Sequence, residues 1–370
     1  MKNFWFTFNS AGDIFHSMKT IIKTTTITKF DVGNEDSQDT KKEVLNMLRT
    51  SGGEFISGES IAENMNVTRA AVWKAIDSLR NDGYRIHALP RKGYMLESFN
   101  DVLSEDGIRS HLMTDSKVSH VICLRETDST NNYAKKLAMH GGASVKHGTL
   151  IAANHQTSGR GRHGHTFISP AGTGLYMTLI LRPTIEAAEF QMITIADAVA
   201  VCLAIEELYP DSKGEIKIKW VNDIYFHGRK ITGILTEALT NFENGEIESV
   251  ITGIGINVST KKFDGDVSGI AGSIFQEDEA VLFSRDELCA KVADYVMTFA
   301  DNLDSPELIN AYRERSMLTG EDITYMKNDI QHTGHVEMID DRGGLVITND
   351  EGETETLRSG EVFMIRKVKH

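Results

Sequence analysis

The residues best placed to do chemistry in this 370-residue chain begin with the run Gly159-Arg160-Gly161-Arg162-His163-Gly164. Its G-x-G-x-x-G spacing matches a dinucleotide-binding fingerprint, whose glycines must open a helix so that a pyrophosphate meets the helix N-terminus. Here His165-Thr166-Phe167-Ile168-Ser169-Pro170 follows, then Gly172 and Gly174. Those residues form a loop that leads into a strand, so the dinucleotide reading fails on context. Guanidiniums set among glycines make a mobile cationic loop instead. Such a loop can grip a carboxylate or phosphate bidentately, close over it and exclude water.

Three further runs carry polar groups where apolar elements rarely tolerate them. Lys219-Trp220-Val221-Asn222-Asp223 is followed by Arg229-Lys230-Ile231-Thr232-Gly233-Ile234-Leu235; the plain alternative there is a hairpin with polar turn residues. Glu126-Thr127-Asp128-Ser129-Thr130-Asn131, taken alone, reads as a helix N-cap. Gly253-Ile254-Gly255-Ile256-Asn257-Val258 reads as a strand whose glycines permit a ligand to approach the backbone closely.

The elements that must hold these runs alternate between strand and helix from Asp101 to about Arg315. Strands are expected at 119–124, 149–153, 174–181, 216–220, 231–239 and 249–256, and helices at 130–139, 185–209, 285–300 and 306–315. Gly228-Arg229 and Asn244-Gly245 are hairpin signals. Hairpins within one sheet beside separate helices make this an α+β domain with a mixed sheet.

Residues 41–98 form a different pattern: a helix, then a helix over 60–65, a third helix from Thr68 to Arg80, and strands at 84–88 and 94–96. That order is a winged helix-turn-helix, with Ala71, Val72, Ala75, Ile76 and Leu79 as the buried stripe of its third helix. The segment holds nine Lys and Arg against seven Asp and Glu, in a chain whose net charge is −14. A slightly basic head on an acidic body suits contact with DNA phosphates. Arg69, Ala70, Trp73 and Lys74 would face bases in the major groove, and Arg91 and Lys92 of the wing would meet phosphates. The competing possibility is a head that no longer binds DNA.

The tail, 317–370, alternates short strands with Asp- and Gly-rich turns, as a small β-barrel does. Residues 1–40 read as an extension, either disordered or a misassigned start, with Met18 as another candidate start. Three widely spaced cysteines and the absence of a C-x-x-C pair argue against a disulfide framework or a metal site, and point to the cytoplasm. No apolar run is long enough to cross a membrane.

The motifs D-S-T-N, G-R-G-R-x-G, K-W-x-N-D, R-K-x-x-G-I-L and G-x-G-x-N, in that order, resemble those of the biotin protein ligases. The head before them and the barrel after them resemble the bifunctional members, which are also biotin operon repressors. The resemblance spans about residues 41–370. It implies three domains: the head at 41–98, a ligase domain at 99–316 related to class II aminoacyl-tRNA synthetases, and an SH3-like barrel at 317–370. It also implies that biotin and ATP are substrates, that Mg²⁺ arrives with ATP, and that a biotin carboxyl carrier domain and operator DNA are partners, with a homodimer when the adenylate is bound.

The resemblance carries roles for single residues. Ser129, Thr130, Asn131 and Gln156 would surround biotin, and Gly233 would let the backbone approach it. Arg160, Arg162 and Lys230 would be catalytic, holding the carboxylate and phosphate together. Phe167, stacked on the adenine, would bind the nucleotide with Asn222, Asp223 and Asn257. Three positions depart from the family pattern. Val221 stands where proline is usual, which suggests a looser turn. Phe167 stands where tryptophan is frequent. His163 and His165 replace residues that are often basic.

Overall fold

The computed structural model describes residues 35–97, 101–183, 189–240, 245–263, 267–327, 330–360 and 362–365. The chain divides into two compact units at residue 100.

Caps and turn residues set the elements of the first unit: α1 (Glu35–Thr50), α2 (Gly58–Asn64), α3 (Arg69–Asn81), then a hairpin of β1 (Ile86–Leu89) and β2 (Gly93–Leu96). The Ser57 hydroxyl accepts from the Ser60 N–H at 3.0 Å and the Thr68 hydroxyl from the Ala71 N–H at 3.1 Å, fixing where α2 and α3 begin. Val72, Ala75, Ile76 and Leu79 of α3 are buried, as are Val44, Leu45 and Leu48 of α1 and Ile61 and Ala62 of α2; Ala71, given to the same stripe by its spacing, is half-buried. Arg80 donates to the Ile86 carbonyl at 3.1 and 2.7 Å and so ties the end of α3 to the wing. The first helix starts ahead of the expected Lys41; the remainder of the extension, 1–34, lies outside the described residues.

The second unit is built on a seven-stranded sheet. Its elements are α4 (Glu105–His111), β3 (His120–Leu124), α5 (Thr130–Gly141), β4 (Thr149–Ala153), β5 (Gly174–Leu181), α6 (Phe190–Leu208), β6 (Lys217–Lys219), β7 (Asp223–Phe226), β8 (Arg229–Thr240), β9 (Ile247–Asn257), α7 (Arg285–Ala300) and α8 (Pro306–Glu314). The strand order is β3-β4-β5-β9-β8-β7-β6. Only β3 and β4 run parallel to each other; the other pairs are antiparallel, so the sheet is mixed. Every residue of β4 and β5 is buried, which their continuous apolar runs require of strands covered on both faces. One face packs on α6 and α7 and the other on α5.

Two elements were not anticipated. α4 is too short to show a clear period. β7 was hidden because Asn222-Asp223 reads as a turn; the first turn falls at 220–222 instead, and a second lies at His227-Gly228, whose φ values of 48° and 72° suit a tight hairpin. The looser turn expected of Val221 is not found. Val221 is buried and its carbonyl accepts from the Tyr312 hydroxyl at 3.1 Å.

The tail folds as β10 (Asp322–Lys327), β11 (Ile330–Ile339), β12 (Leu345–Asn349), β13 (Thr354–Leu357) and β14 (Val362–Met364), antiparallel throughout in the order β13-β12-β11-β10-β14. Among the described residues this sheet is open at β13 and β14. Its β11–β12 turn docks on α6 and the β6–β7 turn: the Gly343 carbonyl accepts from Trp220 Nε1 and Gln191 Nε2, both at 2.8 Å. A Cβ on Gly343 would lie 1.9 Å from Ile195 Cδ1, and its φ is 76°, so both space and conformation call for glycine. No described helix is long and apolar enough to cross a membrane.

Candidate active site

Strand pairing selects the floor of the site. Gly233 of β8 pairs with Gly255 of β9, which pairs with Tyr176 of β5; Leu235 pairs with Gly253, which pairs with Thr178; Asp223 of β7 pairs with Gly233. Side chains alternate along a strand, so these residues share the face that α5 covers. Three glycines on two adjacent strands leave that face bare of side chains.

The chain's own side chains use this space. A Cβ on Gly253 would lie 2.0 Å from Asn131 Oδ1, one on Gly255 2.6 Å from the Phe167 ring, and one on Gly233 3.3 Å from that ring. The close approach read from the glycines is therefore made by Asn131 and Phe167. Phe167, expected over the adenine, lies instead on the glycine floor, edge-on to Tyr176 with centroids 6.3 Å apart. Its neighbours around one cavity are Ser129, Thr130, Asn131, Gln156, Arg160 and Gly233. The reason is the return of the loop: the Phe167 N–H bonds the Gly159 carbonyl at 2.9 Å and the Gly161 N–H bonds the His165 carbonyl at 2.7 Å, so that 165–167 doubles back beside 159–161. About 20 Å³ stays free in the cavity, room for a water-sized sphere and no more.

A polar chain runs along the cavity wall. Gln156 Oε1 accepts from Thr130 N at 2.8 Å and Thr130 Oγ1 at 3.1 Å, while Gln156 Nε2 donates to Ser169 Oγ at 2.9 Å. The Thr178 hydroxyl sits 2.8 Å from Thr130 Oγ1 and 2.7 Å from Asn131 Oδ1. Asn131 Nδ2 donates to the Leu235 carbonyl and to Glu237 Oε2, each at 3.0 Å. Ser129 starts α5, yet its hydroxyl makes no capping bond and the residue is 2% exposed. A buried hydroxyl that does not cap its helix favours the ligand reading over the N-cap reading.

Positive charge gathers at both ends of this floor. Arg160 Nη1 lies 3.0 Å from Asn132 Oδ1 and 3.4 Å from Glu237 Oε1. At the other end Arg162 Nη1 donates to Asn222 Oδ1 at 2.8 Å, and Asn222 Nδ2 to the Ile234 carbonyl at 2.9 Å. Lys230 Nζ meets Asp223 Oδ1 at 2.6 Å. Asn257 joins this end through Gly272, whose carbonyl accepts from Asn257 Nδ2 at 3.0 Å and whose N–H donates to the Lys230 carbonyl at 2.9 Å. Asn257 Oδ1 is buried with no partner among the described residues, a polar atom whose desolvation is left uncompensated.

The sequence reading missed Glu237, Lys135, Asn132, Thr178 and Ser169. Glu237 was within reach of it: four residues beyond Gly233 on one strand, it must share that face. Lys135 bonds Glu237 Oε1 at 2.5 Å. Burial would raise the Glu237 pKa, but hydrogen bonds from Lys135 and Asn131 and the charges of Lys135 and Arg160 outweigh it, and the carboxyl is held below its ordinary value. Arg285, 2% exposed, was also missed. It bonds Asp101 Oδ2 at 2.9 Å, Asn154 Oδ1 at 2.8 Å and the Gly174 carbonyl at 3.3 Å, and so clamps the residues just before and just after the loop segment.

In the first unit Arg69, Ala70, Trp73 and Lys74 lie exposed on α3, Trp73 at 58%, and Arg91 and Lys92 are exposed at the wing tip.

Comparison with known proteins agrees with both units. Residues 123–257 match the biotin/lipoate A/B protein ligase family and residues 40–95 match an HTH domain. The bifunctional ligase/repressor BirA of Bacillus subtilis (strain 168) is 40% identical over 238 residues, 64% of this chain and 71% of that protein. BirA of Salmonella typhimurium is 30% identical over 316 residues, 84% of this chain and 94% of its own. The solved biotin protein ligase from Aquifex aeolicus in complex with biotin and ATP is 27% identical, with a TM-score of 0.55, and is matched over 67% of this chain and 100% of its own. With the ligase motifs on one sheet face, a helix-turn-helix head before them and these relatives alongside, the chain belongs to the biotin protein ligases, in the branch of bifunctional ligase/repressors.

Proposed function

We propose that this chain activates biotin with ATP and transfers it to a lysine of a biotin carboxyl carrier domain, and that its head represses biotin genes by binding operator DNA. The observation that carries the ligase reading is a glycine floor with Arg160 at one end and Arg162 and Lys230 at the other, beside a wall of buried hydrogen-bonding groups.

The residues serve two steps. Ser129, Thr130, Asn131 and Gln156 hold the ureido group and ring of biotin once Phe167 swings off the floor, and Gly233 gives the ligand its close approach. Lys230 leaves Asp223 for the carboxylate–phosphate junction. There the biotin carboxylate attacks the α-phosphorus of ATP, an O–P bond forms, and pyrophosphate leaves with the electron pair. Two anions must meet, so the cations supply most of the rate. Arg160 and Arg162 close over the mixed anhydride and keep water from it. Asn222, Asp223 and Asn257 contact the nucleotide, and Mg²⁺ enters on its phosphates. The carrier lysine amine then attacks the acyl carbon and expels AMP. No enzyme nucleophile is required.

Several finer points belong to the same proposal. Arg69, Ala70, Trp73 and Lys74 read the major groove, while Arg91 and Lys92 meet phosphates. The adenylate-bound chain is a homodimer on a two-fold operator. The central sheet is kin to that of class II aminoacyl-tRNA synthetases, and the tail is an SH3-like barrel, a reading its five antiparallel strands support. Free cysteines at 123, 202 and 289 suit a cytoplasmic protein. The test is incubation with ATP, labelled biotin and a carboxylase carrier domain. Label on the carrier lysine is expected; its absence with an active carrier would reject the ligase reading.

A further inference from the structure

The loop arginine nearest the biotin wall is held by a carboxylate to which neither motif nor family likeness assigns a role. We infer that Glu237 is the positioning residue for Arg160, and that Lys135 sets how tightly it holds. This rests on the ligase reading for its purpose but not for its geometry.

Glu237 projects from β8 on the glycine-floor face, with its side chain 19% exposed. Its two oxygens are divided. Oε2 takes the Asn131 amide at 3.0 Å and so fixes which way that amide presents Oδ1 to Thr178. Oε1 is shared by Lys135 at 2.5 Å and Arg160 at 3.4 Å. One carboxylate thus fixes a wall residue and steadies the loop.

The sharing gives the hold its strength. Lys135 is the closer cation and neutralises most of the charge on Oε1, so Arg160 is held by a partly satisfied oxygen. A carboxylate or phosphate that arrives therefore meets a guanidinium already placed and only partly neutralised. Without Lys135 the same oxygen would bind Arg160 more tightly. Without the Glu237 charge, the Arg160 side chain would keep, among the described residues, its neutral bond to Asn132 at 3.0 Å, and this end of the loop would lose its charged tie to β8.

Opposite substitutions therefore have opposite effects, which a purely structural role cannot produce. Hydrogen exchange of the peptide covering residues 158–168 is measured on the full-length, ligand-free protein. Glu237→Gln should speed exchange there by about fivefold, the upper range for a partly exposed ion pair, and Lys135→Met should slow it. Any loss of packing would speed both. Exchange that is unchanged, or that moves the same way in the two variants, overturns the proposal. If Glu237→Gln fails to fold, Lys135→Met decides alone: slower exchange supports the proposal, and equal or faster exchange overturns it. Biotin-dependent exchange of pyrophosphate into ATP is followed in parallel. The KM for biotin should rise about fivefold in Glu237→Gln, because ordering Arg160 is then charged to binding. If the unsubstituted protein itself shows no biotin-dependent exchange, the ligase reading fails while the loop result stands or falls by itself.

Discussion

At the scale of single residues, the proposed reaction gives Lys230 and Arg162 different work on the same anions. Lys230 is half-buried against Asp223, a counter-ion from which a stronger anion can draw it. Lys230→Ala should lower the rate of adenylate formation by ~10²–10³-fold, the usual loss for one preorganised electrostatic contact, with the melting temperature within a few degrees of the parent. Arg162 is bound through Asn222, which is itself anchored to the Ile234 carbonyl. Arg162→Ala should still form adenylate but release it to water. Pyrophosphate release that outruns carrier labelling would show this, and a one-to-one ratio would contradict it.

At the scale of elements, the pairing of β8 with β9 explains why glycine recurs. Because Gly233 and Gly255 are partners, one aromatic ring can lie across both strands. Gly255→Ala would place a methyl 2.6 Å from the Phe167 ring. The methyl then stands on the floor that biotin needs once the ring has left, at about 1–3 kcal/mol for overpacking, and the KM for biotin should increase roughly tenfold or more; an unchanged KM would mean that biotin does not lie on this floor. The opposite face of the sheet carries a second device. Asp197 of α6 is fully buried and one carboxyl oxygen accepts from the Thr252 and Thr236 hydroxyls; the other has no partner among the described residues. Burial pushes its pKa from 3.8 up to about 7, and hydrogen bonds from Thr252 and Thr236 only partly offset this. The folded chain thus keeps a proton that the unfolded chain has already released. The stability from this group is fully present below about pH 4 and is lost as pH rises through about 7. Asp197→Asn should therefore gain on the parent as pH climbs, by on the order of a few kcal/mol at pH 8. Urea unfolding from pH 4 to 8 measures that difference, and a constant gap would refute the burial account.

At the scale of the whole molecule, the unit after residue 100 is braced around the loop by one buried cation. Arg285→Leu strands Asp101 and should cost about 3–5 kcal/mol, as removing one partner of a buried ion pair does. Within the head, Arg91→Ala with Lys92→Ala should reduce the salt slope of operator binding by about two without altering ligation. A salt slope equal to that of the parent would remove the wing from the DNA contact. Much of this was legible in the chain itself. Apolar periods and caps marked α2, α3, α5, α6 and α7, and the ordered motifs identified the ligase face. What stayed hidden depended on contacts between distant segments. The seat of Phe167 follows from the register of β8 on β9, and the Arg285 clamp joins residues more than a hundred positions apart. β7 was hidden because the polar pair Asn222-Asp223 straddles the end of the 220–222 turn and the start of the strand. The central claim is that a cationic loop and one lysine drive biotin onto the α-phosphorus of ATP, and biotin-dependent exchange of labelled pyrophosphate into ATP, compared between the parent and Lys230→Ala, tests it most directly. Rapid exchange in the parent that requires biotin and falls at least a hundredfold in the variant is the expected result; exchange at the parent rate in a folded Lys230→Ala protein would contradict it.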